Sequence, residues 1–131
     1  MNKSFEELKK LYKNTEFVDL FKEIIKLFEI EVYVELGVRK SYTFNQIAPL
    51  VKKAVAVDID SMSNVKLLPN VKKIIMNTND LAKIWNEEID FLFIDACHEK
   101  DQVLRDFDNF SKFVKEGTGI IAMHDTHPID D

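Results

Sequence analysis

Five short apolar runs constrain this chain more than any other feature: Val32 to Leu36, Ala54 to Val57, Val71 to Met76, Phe91 to Ile94 and Gly119 to Met123. Each is nearly continuous rather than alternating, the pattern of a strand buried on both faces. Between them lie segments with helical spacing: Tyr42 to Leu50, a short or irregular piece near Ser61 to Leu68, Asp80 to Trp85, and Glu99 to Val114. Pro49 is expected near the end of the first, because a helix interior would lose a hydrogen bond to it. In the last, Val103, Phe107, Phe110 and Val114 recur at i, i+4, i+7 and i+11, and Gly117 sits where a helix C-terminus takes a positive φ. Strand alternating with helix predicts right-handed βαβ crossovers, and hence a parallel sheet with helices on both faces.

Two amphipathic helices are predicted ahead of the first strand. Ser4 and Glu7 make a capping-box pattern before Phe5, Leu8 and Leu11, and Phe17, Leu20, Phe21, Ile24, Leu27 and Phe28 repeat at helical spacing. Their polar faces mix Lys with Glu, which suits a core-packing or lid role better than a membrane surface. A chain of 131 residues, 46% apolar, can bury one real core, so residues 1–131 are expected to form one domain: a helical cap over 1–30, a core over 31–126 and a tail over 127–131.

The formal net charge of −5 argues against a broad nucleic-acid-binding face and favours a small-molecule partner. One cysteine, Cys97, excludes an internal disulfide and a multi-cysteine metal cluster, and fits a reducing compartment. No apolar run approaches the roughly 20 residues that span a bilayer, and the polar, acidic start is unlike a signal peptide. The expected location is cytoplasmic, with no membrane partner.

Carboxylates gather where the predicted strands end. Glu35, Asp58, Asp95 and Asp125 each fall at or beside a strand's C-terminal end, and Asp80 opens the helix after the third strand, on the same edge. In open α/β sheets that edge binds ligands. Aspartate also caps helices and ends strands for purely local reasons, and any one of these residues is explained that way. All of them together are not. An acid ending the second strand can accept from both hydroxyls of a ribose, which makes Asp58 the first candidate and Asp60 the second.

In this order the motifs resemble a known family. Val-Glu-Leu-Gly37, Ala-Val-Asp58-Ile-Asp60, Asn79-Asp80, Phe-Leu-Phe-Ile-Asp95-Ala-Cys-His98-Glu99 and Gly-Ile-Ile-Ala-Met-His124-Asp125-Thr126 are similar to the class I S-adenosylmethionine-dependent methyltransferases. Within that class they look most like the small-molecule branch called methyltransferase family 24, related to catechol-type O-methyltransferases. The likeness runs from about Tyr33 to Thr126. It implies a Rossmann-like three-layer α/β sandwich with a mainly parallel five-stranded sheet in the order 3-2-1-4-5.

It also implies roles. Glu35 and Gly37 line the turn where the methionine part of S-adenosyl-L-methionine approaches the backbone, Asp58 takes the ribose hydroxyls with Asp60 nearby, and Asn79 and Asp80 flank the adenine, Asp80 accepting from its amino group. Asp95 lies under the sulfonium. His98, His124 and Asp125 face the substrate as catalytic candidates, and Asp95 with Asp125 are candidate Mg2+ ligands. The implied activity is methyl transfer to a small-molecule nucleophile, an oxygen before a nitrogen.

The chain departs from the family pattern at two places. Val38-Arg39-Lys40-Ser41 stands where further glycines are usual, and the strands that complete the family sheet have no counterpart before Asp131. The resemblance therefore implies a truncated methyltransferase fold or a piece of a longer protein. The fifth strand is expected as an open edge, covered by the tail, the N-terminal helices or a second subunit. Two other readings stand beside methyl transfer. One is a non-catalytic cofactor-binding or interaction domain. The other, a dinucleotide-binding dehydrogenase type, is disfavoured because no Gly-x-Gly-x-x-Gly loop is present. Of the remaining residues, Cys97 reads as a passive small side chain, His127 as part of a tail and Trp85 as core.

Overall fold

A computed structural model describes residues 17–95 and 100–124. Five parallel strands form one sheet in the order β3-β2-β1-β4-β5, with β1 at Val32–Leu36, β2 at Lys53–Asp58, β3 at Val71–Ile75, β4 at Phe91–Ile94 and β5 at Ile120–Met123. This is the Rossmann-like arrangement expected. The helices are α1 (Phe17–Phe28), α2 (Tyr42–Ile47), α3 (Thr78–Ile84) and α4 (Lys100–Phe110), with single 3-10 turns at Ala48–Leu50 and Ser111–Phe113. Among the described residues no helix is long and apolar enough to cross a membrane.

The pleat divides the core in two. Tyr33, Ala54, Ala56, Phe91 and Phe93 face one layer, where Val18, Phe21 and Ile25 of α1 meet Phe44 and Ile47 of α2. Val34, Leu36, Val55, Val57, Leu92 and Ile94 face the other, against Leu81 of α3 and Phe110 of α4. Successive side chains thus serve opposite cores, which is why these strands read as unbroken apolar runs. The outer strands differ: β3 carries Lys72 and Lys73 and exposes Ile75, and β5 exposes Met123. Lysines on β3 suit its edge position.

Some local expectations hold and others shift. Pro49 lies in the 3-10 turn after α2, a tighter coil that does not use the amide proline lacks. The segment from Ser61 to Leu68 is irregular, with no helix; Asn45 ties it down, donating through Nδ2 to the Asn64 carbonyl (2.8 Å) and accepting from the Lys66 amide (3.0 Å). In α1 the buried stripe is Val18, Phe21 and Ile25, while Leu27 and Phe28 face outward. The helix expected to reach Val114 ends earlier, and Val114 makes a parallel bridge with Ile89. Gly117 does take a positive φ of 87°, in the turn before β5 rather than at a helix end. The Ser4–Glu7 capping box lies outside the described residues.

Gly119 closes that turn, its amide bonding the Lys115 carbonyl at 2.8 Å. A Cβ there would sit 2.3 Å from that oxygen and 2.4 Å from Val114 Cγ1, so the backbone itself must move. Gly119→Ala is expected to lower unfolding stability by about 2 kcal/mol, read from urea denaturation. A midpoint equal to wild type would show that the turn yields freely.

Candidate functional site

The parallel ladder runs one residue past the strands and aligns their ends. Gly37 N bonds Val57 O (2.8 Å), Asp95 N bonds Leu36 O (2.9 Å), His124 N bonds Ile94 O (3.0 Å) and Met76 N bonds Asp58 O (3.0 Å). The residues after β1, β3, β4 and β5 therefore stand in one row with the last residue of β2. Beside this row lies a cleft of about 360 Å³, reached by Gly37, Asp58, Asp60 and Asp95 from the strand ends and by Thr78 and Asp106 from the helices.

Asp58 organises the cleft. Its Oδ2 accepts from the Arg39 amide at 2.9 Å and its Oδ1 from the Asp60 amide at 3.1 Å, so one carboxylate joins the loops after β1 and β2. Each oxygen keeps acceptor capacity beyond the amide it holds. The β1 loop needs this help: Gly37, Arg39 and Ser41 have φ of 86°, 51° and 67°. Glycine takes that region freely, whereas Arg39 and Ser41 each cost about 1 kcal/mol to hold there. Arg39, standing where a family glycine is usual, lines the cleft, its amide held by Asp58.

Glu35 lies beneath the cleft and does not line it. It is 1% exposed, on the same strand face as Tyr33, whose hydroxyl donates to Oε1 at 2.5 Å. Burial pushes its pKa up to about 8; the Tyr33 hydrogen bond opposes the rise, and the Asp95 and Asp58 charges add to it. The Tyr33 phenol is likewise held well above its usual value, first by burial and then by the Glu35 charge.

Asn79 and Asp80 turn away from the cleft. Asn77 caps α3, its side chain accepting from the Asn79 amide, so the helix starts at Thr78. The Asn79 side chain bonds Asn109 (2.8 Å), and Asp80 lies 3.7 Å from Lys83 at the surface. The cleft meets this segment one step earlier, at Asn77 and Thr78. His124 stands beside the cleft, its Nδ1 3.4 Å from Asp95 Oδ1 and its ring stacked on Phe17 at 5.0 Å. Asp95 lines the cleft and so links the two. Trp85 packs on Phe110 and donates to the Glu87 carbonyl, a core position. His98, Asp125, Cys97 and His127 lie outside the described residues.

Sequence reasoning missed Asp106. It is 3% exposed and accepts on Oδ1 from Thr78 Oγ1 (2.5 Å) and Gln102 Nε2 (2.7 Å); burial raises its pKa, against those two donors. The signal was present: Asp106 falls three residues after Val103 and four before Phe110, on the apolar stripe of its helix. Of the candidate Mg2+ ligands, Asp95 lines the cleft and Asp125 lies outside the described residues; among the described residues no three His, Cys, Asp or Glu side chains gather to hold a metal ion.

A parallel sheet in this order, with an acid-anchored cleft along its carboxyl edge, defines a Rossmann-like class of domain, in which ligands bind at the strand ends. The family within that class follows from the sequence: the methyltransferase family 24 model, described as "Methyltransferase domain", matches residues 19–126, and the chain belongs to that family. Solved structures share the fold. A caffeoyl-CoA O-methyltransferase candidate from Staphylococcus aureus superposes with a TM-score of 0.68 at 17% identity, over 91% of this chain and 65% of that one. An S-adenosylmethionine-dependent methyltransferase from Clostridium acetobutylicum gives 0.65 at 16%, over 91% and 56%. The O-methyltransferase TomG of Streptomyces achromogenes, involved in tomaymycin synthesis and solved with S-adenosylmethionine, gives 0.64 at 14%, over 79% and 53%. The chain spans about half to two thirds of the length of these structures.

Proposed function

We propose that this chain binds S-adenosylmethionine in the cleft and transfers its methyl group to a small-molecule nucleophile, an oxygen before a nitrogen. The observation that carries this reading is the Asp58 carboxylate, fixed by two backbone amides with acceptor capacity left toward the cleft. Carboxylate, apolar wall and buried polar corner are the donor and acceptor set an adenosine requires, so the residues fit the group. When bound, S-adenosylmethionine supplies an already activated methyl on a sulfonium.

The protein's part is then positioning and proton handling. Asp58 accepts from the ribose hydroxyls, with Asp60 adjoining. Gly37, free of a side chain, lets the methionine part lie against the β1 turn, above the buried Glu35. Asp95 lies between the sulfonium side of the cleft and His124, orienting the imidazole to take the proton that the acceptor loses. Asn79 and Asp80 act through the start of α3, by holding Asn77 and Thr78 at the base end. His98 and Asp125 belong to the acceptor side of this reading by family resemblance.

Calorimetric titration with S-adenosylmethionine, S-adenosylhomocysteine and NAD tests it. The two sulfur nucleosides are expected to bind in the micromolar range and NAD at least tenfold more weakly, because the sequence has no Gly-x-Gly-x-x-Gly loop to cradle a pyrophosphate. No binding of either sulfur nucleoside at millimolar concentration by the folded chain would end the proposal. Labelled methyl transfer to a panel of phenols and amines then separates an enzyme from a binding domain, and transfer undiminished in His124→Asn would remove that residue from its role.

A further inference from the structure

We infer that the pocket beside the C-terminal end of α3 is a second binding site, which takes a small apolar monocarboxylate with its carboxylate on Lys72 and its body on an apolar floor. The site lies outside the cleft and does not depend on the methyl-transfer reading.

Helix α3 stops at Ile84, seven residues after it begins, and leaves part of the β3 face unroofed. A cavity of about 270 Å³ opens there, between Ile74 on β3, Leu81 and Ile84 on α3, and Trp85. Trp85 is a fixed wall, its Nε1 donating to the Glu87 carbonyl at 2.7 Å and its ring packed on Phe110. Met76 lines both this cavity and the cleft, so the two are neighbours with a shared wall. Filled to the density of a protein interior, the space takes about ten non-hydrogen atoms, fewer than a drug-sized ligand carries.

Charge selects the kind of molecule. Three charged side chains line the cavity: Lys53, Lys72 and Glu87. Glu87 is committed to Lys53, through Oε2 at 2.5 Å, and its Oε1 is enclosed where it meets no donor. Lys72, beside Val55 of the neighbouring strand, pairs with no described carboxylate. An apolar floor with one uncompensated cation complements an anion that has an apolar body, and repels a cation of the same shape.

Lysine on β3 has a plainer use, which is to keep other strands off an exposed edge. Lys73 serves that purpose equally well, but alternation along the strand sends it to the opposite face, and it does not line the cavity. The two lysines therefore separate the roles. Edge protection draws on both, whereas the site requires Lys72.

Trp85 is the only tryptophan in the chain, so its fluorescence reports on this wall. Octanoate, which matches the cavity in size, is titrated against the full chain, with octylammonium and 1-octanol as probes of equal length. Octanoate is expected to shift the Trp85 emission with a Kd of about 0.1–1 mM, the range so small a ligand reaches. Octylammonium should bind about tenfold more weakly or worse. Lys72→Met should weaken octanoate about fivefold and bring it level with 1-octanol, while Lys73→Met, which loses the same charge, should stay within about twofold of wild type.

Trp85 emission unchanged by octanoate up to about 10 mM would overturn the inference. So would a loss no larger in Lys72→Met than in Lys73→Met. Octylammonium bound as tightly as octanoate would also overturn it, since the apolar floor alone would then account for binding.

Discussion

Asp58→Ala is expected to lower affinity for S-adenosylhomocysteine about a hundredfold while leaving the domain folded. A hydrogen bond to a charged acceptor contributes roughly 1.5–3 kcal/mol, and each factor of ten in affinity is about 1.4 kcal/mol, so losing two such bonds reaches that figure. The carboxylate is held before any ligand arrives, through Arg39 N at 2.9 Å and Asp60 N at 3.1 Å, so little ordering is left to offset the gain on binding. Both amides belong to surface loops, where water can replace the lost acceptor. The core clusters on either side of the sheet do not include Asp58, so the melting temperature should move by only a few degrees. Titration of the variant checks this, and an affinity within threefold of wild type would show that the ribose hydroxyls lie elsewhere.

The second large effect belongs to stability and pH. Glu35 has a pKa of about 8 when folded, against an ordinary value of 4.5 when exposed, because burial disfavours its charge. The folded state therefore holds a proton that the unfolded state has released across that window. Stability from this group is fully present below about pH 4.5, falls as pH rises toward 8, and is flat beyond, with a slope of up to about 1.4 kcal/mol per pH unit. Asp106, also raised by burial, acts in the same direction. Glu35→Gln keeps an acceptor for the Tyr33 hydroxyl and removes the titration. Urea denaturation near pH 5 and near pH 8 should show wild type losing several kcal/mol more than the variant; parallel losses would mean that Glu35 is ionised in the fold.

Much of the fold was legible because each strand serves two cores at once and writes that burial into an unbroken apolar run. The strand-end acids were legible for the same reason: a strand boundary is a composition boundary. What could not be read was the direction of side chains just beyond those boundaries. Asn77 caps α3, so the helix begins at Thr78 instead of Asp80; at about 100° per residue, two residues turn a side chain through roughly 200°. That rotation carries Asp80 out to Lys83 and brings Thr78 to the cleft. Likewise the pleat sends Glu35 to the core face with Tyr33, while Leu36 and Gly37 meet the cleft. Asp106 was hidden in a different way: a single acid on an apolar stripe reads as an interruption until the partner helix is seen to bring it Thr78.

The strand order has one more consequence. β1, β2 and β3 pair in sequence, as do β4 and β5, so within the sheet the two groups meet only where β1 runs beside β4. The cleft crosses that line, with Asp58 on one bank and Asp95 and Asp106 on the other. A molecule that touches both banks works as a clasp across the seam, and its binding energy adds to the cohesion of the two halves.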